Sequence, residues 1–367
     1  MKHCWEHKIF EDCLEKVVYT TKVLSKDYLE NGTFPIVSQE DGLISGYWNN
    51  ENDLFHIKKP IVVFGDHTRV LKYIDFDFVI GADGVKILQP IDTIQAKFLF
   101  YYLCWYNVPS LGYSRHYKLL KEINLPVPPI EEQKAICAEL DALSLVIEKK
   151  KEQIKQLDTL AQSIFYDTFG DPISNENGWE LGKYGEEFKI GAGGTPSKSV
   201  SEYWEDGTIP WIGSNMCQNR IIYQTDGKTI TQEGLSHSSA KLLEKGTVIV
   251  ALVGATIGKV GLLETETSTN QNVAYINVNE NTSFNSYYVY YQLQKLYELF
   301  MAIGNGDFKM ANQGFIKDLP IIKPPLSLQQ AFAEKVKAIE QQKQLIDQSI
   351  CEMQTLFDSR MDYYFGD

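Results

Sequence analysis

The chain is short of the features that mark most secreted, membrane-held or catalytic proteins. Its six cysteines (Cys4, Cys13, Cys104, Cys137, Cys217 and Cys351) form no CxxC pair and no Cys/His spacing suited to zinc. They read as reduced packing residues of a cytosolic protein. No apolar run approaches the ~20 residues of a membrane helix, and the start, MKHCWEHK, is not a signal peptide. A soluble, cytoplasmic protein with no membrane partner is expected. Positive charge is scarce as well. Lys and Arg number 35 against 48 Asp and Glu, a net charge of −13, and no segment is basic. Bulk electrostatics would hold the isolated chain only weakly to nucleic acid, although a local contact face remains open to it.

Catalytic signatures are missing too. There is no Asn/Asp-Pro-Pro-Tyr/Phe motif and no nuclease-like cluster of carboxylates with lysine. Gly191-Ala192-Gly193-Gly194 is not GxGxxG. Gly254-Ala255-Thr256-Ile257-Gly258-Lys259 falls one residue short of a P-loop and continues with Val260 in place of Ser or Thr. His67 and His116 have no nucleophile or metal-ligand cluster near them in sequence. No catalytic, cofactor-binding or metal residue is expected in this chain.

What the sequence does contain is an internal repeat. Its 367 residues, 44% of them hydrophobic, suffice for two or three domains at ~150 residues each. Leu125 to Asp171 reads LPVPPIEEQKAICAEL…FYDTFGD, and Leu319 to Asp367 reads LPIIKPPLSLQQAFAEKV…MDYYFGD. Pro128-Pro129 matches Pro324-Pro325, Gln133 matches Gln329, and Phe169-Gly170-Asp171 matches Phe365-Gly366-Asp367. From the Pro-Pro pair onward the offset is constant at 196 residues.

Each copy predicts a long helix with a seam of period 3.5. Ile136, Leu140, Leu143, Ile147, Lys150, Ile154, Leu157, Ala161 and Ile164 step by four and three without a break. Phe332, Val336, Ile339, Lys343, Ile346, Ile350, Met353, Phe357 and Arg360 repeat the series. Four heptads at this spacing are a coiled-coil signature, and the matching registers predict a mutual pair. Proline precedes each helix, and Gly170 and Gly366 stand where each would end.

The regions between the helices repeat more weakly. Phe34-Pro35-Ile36-Val37 resembles Ile209-Pro210-Trp211-Ile212. Ile61 to Gly65 resembles Val248 to Gly254, which aligns Gly65-Asp66-His67-Thr68-Arg69 with the Gly254–Lys259 stretch. Aromatic runs at Phe98–Leu103 and Tyr287–Leu293 predict short helices packed on sheets. Short β-rich runs bounded by Gly, Asn, Asp and Pro indicate strand-rich domains. The expected class is α+β, with two globular domains of mixed, strand-rich fold separated by two long antiparallel coiled-coil helices in a pseudo-two-fold repeat. The expected boundaries are a first domain at 1–124, a central helical spacer at 125–171, a second domain at 172–318 and a C-terminal helical spacer at 319–367.

These motifs resemble the specificity subunits of type I restriction-modification systems. The resemblance rests on Leu-Pro-x-Pro-Pro-Ile-Glu-Glu-Gln at Leu125–Gln133, the helix ending in Phe-Gly-Asp and its diverged second copy. Gly193-Gly194-Thr195-Pro196-Ser197, followed by Ile209-Pro210-Trp211-Ile212, is similar to the opening of a target recognition domain. The first domain lacks that glycine-rich stretch. The resemblance implies a non-catalytic reader of double-stranded DNA, with one recognition domain per half of a split site. It implies that the paired helices set the distance between halves and bind two modification (methyltransferase) subunits, with restriction subunits joining in the nuclease. S-adenosylmethionine would then belong to the modification subunits, and ATP and Mg to the restriction subunits.

Several loops suit DNA contact, each with a plain polar turn as the alternative. His67, Thr68 and Arg69 in the first domain, and Thr256 and Lys259 in the second, offer hydroxyls and cations after apolar strands. Thr195, Ser197 and Lys198 suit phosphate contact. Asn270, Gln271 and Asn272 could read adenine or merely cap a strand, and Asp83-Gly84 takes their place in the first copy. Arg115, His116 and Lys118, with Lys309, Asn312 and Gln313, lie near the helix junctions. A second class of function also fits the bare architecture: a coiled-coil adaptor that spaces two protein-binding domains. A methyltransferase or nuclease fused to its own reader is disfavoured by the missing motifs.

Overall fold

The computed structural model describes residues 5–278, 282–303 and 310–366. Packing divides the chain into two compact units, Met1–Glu152 with Asp347–Asp367, and Gln153–Ile346. The division falls inside both long helices, so each unit holds a piece of each.

In the first unit, strand Ile61–Gly65 lies between Leu71–Ile74 and Val85–Leu88, antiparallel to both, with Ile61 opposite Ile74 and Val62 opposite Leu88. All five of its residues are buried, because its side chains alternate between two cores. Ile61 and Val63 face a core shared with Val37, Phe78 and Ile80 of a second sheet, where Phe34–Val37 runs parallel to Phe78–Gly81. Val62 and Phe64 face the aromatic helix Ala96–Tyr106, which buries Phe98, Leu99, Tyr101, Tyr102 and Leu103.

The second unit repeats this plan. Val248–Ala251 lies between Val260–Leu263 and Val273–Asn277, with Val248 opposite both Leu262 and Ile276. Val248 and Val250 face the aromatic helix Ser286–Lys295, while Ile249 and Ala251 face the other way. Strand Ile209–Ile212 runs parallel to Thr267–Thr269, matching the parallel pair of the first unit.

The long helices span Ile130–Phe169 and Leu326–Phe365. Their entry is fixed by the matched glutamines. Gln133 is fully buried, accepts from the backbone N–H of Gln95 at 2.8 Å and donates to Thr93 O and Pro128 O, both at 2.8 Å. Gln329 makes the same three bonds with Asn285, Ser283 O and Pro324 O. Each carboxamide therefore satisfies an orphan N–H at the start of an aromatic helix and ties it to a long one.

The seam residues Ile136, Leu140, Ile147, Phe332, Val336 and Ile339 are buried. Leu143, Ile154, Leu157, Ile164, Ile346, Ile350, Met353 and Phe357 are half-buried. None of the seam faces water freely, as a period of 3.5 requires. Within each unit the two helix pieces run antiparallel. In the first, Arg360 and the Tyr364 hydroxyl both donate to the Glu139 carboxylate. In the second, Lys343 Nζ lies 2.6 Å from Asp158 and 2.8 Å from Glu340.

Phenylalanine of each Phe-Gly-Asp element is a core anchor. Phe365 packs on Phe98, Tyr102 and Trp105, and Phe169 on Phe165, Tyr288 and Phe332, with centroids 4.8–6.0 Å apart. Gly170 follows at φ +76°, a left-handed conformation that ends the helix and that glycine adopts freely. Cys13, Cys104, Cys137, Cys217 and Cys351 are all free thiols.

The structure corrects one alignment. Gly65 N–H bonds Val70 O across its turn, as Ala251 N–H bonds Lys259 O. Ala251, not Gly254, is therefore the counterpart of Gly65. The turn after the second strand is longer, and that extra length pulled the glycines out of register.

Candidate nucleic-acid interface

Both units gather loops at the same edge of their sheets, held by equivalent backbone bonds. In the first, Asp66 N–H donates to Gly84 O at 2.7 Å, and His116 N–H donates to Asp66 O at 2.8 Å. In the second, Leu252 N–H donates to Asn272 O and Ala311 N–H to Leu252 O, each at 2.9 Å. The 66–69 turn, the 82–84 turn and the 108–116 loop of one unit thus answer to the 252–259, 270–272 and 310–313 loops of the other.

In the first unit, Thr68 is exposed, and its hydroxyl donates to Gln39 O at 2.5 Å. Gln39 also accepts from the His67 backbone N–H at 3.2 Å. Arg69 is held at φ 65° while its guanidinium donates to Val108 O at 2.9 Å, so part of its donor set is used internally. Arg115 and Lys118 are exposed. His116 departs from the sequence expectation. It is 1% exposed, one ring nitrogen meets Asp66 O at 2.9 Å, and the other accepts from Leu111 N–H at 3.0 Å. That pairing fixes the neutral ring with its proton on Nδ1 and leaves it nothing to offer a ligand.

Two buried charges support these loops, and sequence reasoning missed both. The Asp66 carboxylate accepts from the backbone N–H of Tyr117 at 2.8 Å. Lys72, 4% exposed, donates to Ser38 O at 2.8 Å and Gly42 O at 2.5 Å, closing the 38–45 loop. Burial pulls its ammonium below the usual lysine range, with Glu40 and Asp41 opposing. Asp66 stood beside His67 in sequence. Lys72 gave no signal, since alternation along a strand does not announce a paired cation.

In the second unit, the glycine-rich stretch crosses close to other backbone. A side chain on Gly193 would meet Thr269 O at 2.1 Å, and one on Gly194 would meet Ser239 Oγ at 2.2 Å. The turn brings the Thr195 hydroxyl onto Gln271 Oε1, joining residues 76 apart in sequence. Ser197 and Lys198 beyond it are exposed. Gln271 is exposed, whereas Asn270 accepts from Asn272 N–H at 3.0 Å and shapes its own turn. Lys259 places its ammonium 4.7 Å from the Tyr297 ring centre, and Thr256 is half-buried in the preceding turn. Asn312 caps the short helix Gln313–Asp318 by accepting from Phe315 N–H at 2.9 Å, and Gln313 is exposed. Lys309 lies outside the described residues. Among the described residues no cluster of His, Cys, Asp and Glu could hold a metal ion, and no helix is long and apolar enough to cross a membrane.

The paired units and their loop edges define a two-copy recognition architecture, and comparison with known proteins places it. The family model for the type I restriction modification DNA specificity domain matches residues 5–158 and 176–353. The chain belongs to that family and carries the domain twice. It is 26% identical over 277 residues to the specificity subunit of the Escherichia coli type I restriction enzyme EcoR124I/EcoR124II, covering 71% of this chain and 67% of that one. The MjaIX specificity subunit of Methanocaldococcus jannaschii is 24% identical over 299 residues, covering 72% and 68%. Among solved structures, the type I S subunit from M. genitalium gives a TM-score of 0.59 at 16% identity, covering 99% of this chain and 96% of that one. A chain from work on complex assembly and conformational transition of the type I R-M system gives 0.54 at 17%, covering 98% and 97%. These two likenesses show the fold. The role of the family is DNA sequence recognition, which disposes of the adaptor reading.

Proposed function

We propose that the chain reads a split double-stranded DNA site, one half per unit, and holds two modification subunits through its long helices. The observation that carries this reading is the loop frame repeated at the same sheet edge, bond for bond, in both units. In the first unit the contacting side chains are His67, Thr68, Arg69, Arg115 and Lys118. In the second they are Thr195, Ser197, Lys198, Thr256, Lys259, Gln313 and the Asn270–Asn272 turn. Hydroxyls, amides and cations of this kind suit phosphates and base edges. The chain supplies no catalytic group. S-adenosylmethionine belongs to the modification subunits, and ATP and Mg to restriction subunits where these join. With a net charge of −13, the chain needs its partners to supply part of the phosphate contact.

The test is methylome sequencing of cells that express the chain with its modification subunit. A split motif with a fixed gap is expected, and replacing residues 172–318 with the equivalent domain of a relative should change one half alone. A continuous motif, or a folded chimera that loses both halves, would overturn the reading. Native mass spectrometry should show two modification subunits per chain, and saturation at one would contradict the scaffold role.

A further inference from the structure

Tyr113 is fully exposed (100%), more than any other large hydrophobic residue described. Such a ring adds nothing to the fold, yet the loop that bears it is firmly held. Val108 O accepts from Arg69, Leu111 N–H donates to the buried His116 ring, and that ring donates to Asp66 O, all at 2.9–3.0 Å. Tyr117 N–H, on the far side, donates to the Asp66 carboxylate at 2.8 Å. The Tyr113 ring leans on the His67 ring, 5.7 Å between centres and 19° from parallel. His67 Nδ1 beneath is buried without a hydrogen-bond partner, so the imidazole acts there as a flat support. Two residues on, Arg115 is exposed and makes no hydrogen bond or ion pair among the described residues. In the second copy, Phe308 stands three residues before Ala311, as Tyr113 stands three before His116. Phe308 itself lies outside the described residues.

We propose that Tyr113 is a wedge that stacks on a base step in the half-site read by the first unit, while Arg115 takes a neighbouring phosphate. The proposal rests on the DNA-reading function given above. Aromatic rings stack on any base, and a ring already resting against a second ring has less freedom to lose on binding. Rings of this kind inserted at a base step partly unstack it. A free guanidinium beside the ring adds to the positive charge that Arg69 and Lys118 bring to this edge of an acidic chain.

The test uses the complex with the modification subunit and duplexes carrying 2-aminopurine at successive positions of that half-site. Tyr113→Ala should weaken binding about tenfold and abolish brightening at one step other than the methylated base. Tyr113→Phe keeps the ring and should restore both. Arg115→Ala should weaken binding and reduce its salt dependence by roughly one phosphate contact. Tyr113→Ala with full affinity and unchanged brightening would overturn the wedge and leave the DNA-reading function standing. Tyr113→Ala that fails to assemble in native mass spectrometry would overturn it differently, by making the ring a protein contact. A wild-type complex that does not distinguish cognate from scrambled duplex would overturn the DNA-reading function, and the wedge with it.

Discussion

The two units share a frame and differ in what the frame presents. Gln133 and Gln329 make the same three bonds, and Phe365 and Phe169 each pack on the aromatic helix of their own unit, against Phe98 and Tyr288 respectively. The edge loops share backbone bonds but not side chains. Asp83-Gly84 in one faces the place of Asn270-Gln271-Asn272 in the other, and the glycine-rich turn that delivers Thr195 to Gln271 belongs to the second alone. Polar backbone groups inside a fold tolerate few solutions, whereas an exposed edge tolerates many. A duplicated reader can therefore hold its core constant and diverge at its rim.

The strongest way to break that comparison is to remove the shared anchors. Phe169→Ala and Phe365→Ala each open a cavity among three aromatic rings and should each cost ~3–5 kcal/mol. Urea unfolding with hydrogen exchange mapped to each unit would read this, and a cost in only one of them would end the equivalence. A smaller effect should follow Gln133→Leu or Gln329→Leu. Each strands one buried N–H and two carbonyls, at about 2–3 kcal/mol, and the first amides of the adjoining aromatic helix should lose exchange protection. Equal protection in wild type and variant would show the carboxamide to be dispensable.

The ion pairs of the helices should separate the units by pH, at under about 1 kcal/mol for such partly exposed groups. Arg360, then Tyr364, holds the Glu139 carboxyl below its usual range. Its stabilisation is present above the unfolded value of ~4.3 and is lost as pH falls through the lowered folded value. Burial alone would lower the Lys343 ammonium, but Glu340 and Asp158 outweigh it and raise it. That contribution is present below ~10.4 and is lost as pH rises through the raised folded value. Glu139→Gln should flatten the acid limb of a stability–pH curve and Lys343→Met the alkaline limb. Identical limbs in both variants would refute the assignment.

Much of this frame was legible in sequence because it follows from period and repetition. The four-three spacing from Ile136 to Ile164 placed the buried side of the first long helix, and the matched Pro-Pro and Gln placed its entry. The aromatic runs marked the helices that pack there. The loop edges were less legible, for physical reasons. Thr195 and Gln271 meet only because a strand and a glycine turn return the chain to the same edge. His116 looked like a surface residue beside Arg115, yet its two ring nitrogens find backbone partners that no local pattern reveals. The slip between Gly65 and Gly254 arose because turn length is free to change where strand pairing is not.

The unlike ion pairs also decide which helix each helix can accept. At the repeat offset, Ile164 in the first helix stands where Arg360 stands in the second, and Lys335 stands where Glu139 does. Two first helices laid in the same antiparallel register would set Glu139 against an aliphatic side chain. Two second helices would set Arg360 against Lys335. A carboxylate without its cation and two cations face to face both raise the energy of self-pairing. Duplication gave the chain two helices of one ancestry, and a handful of charges made each a poor mate for its own copy.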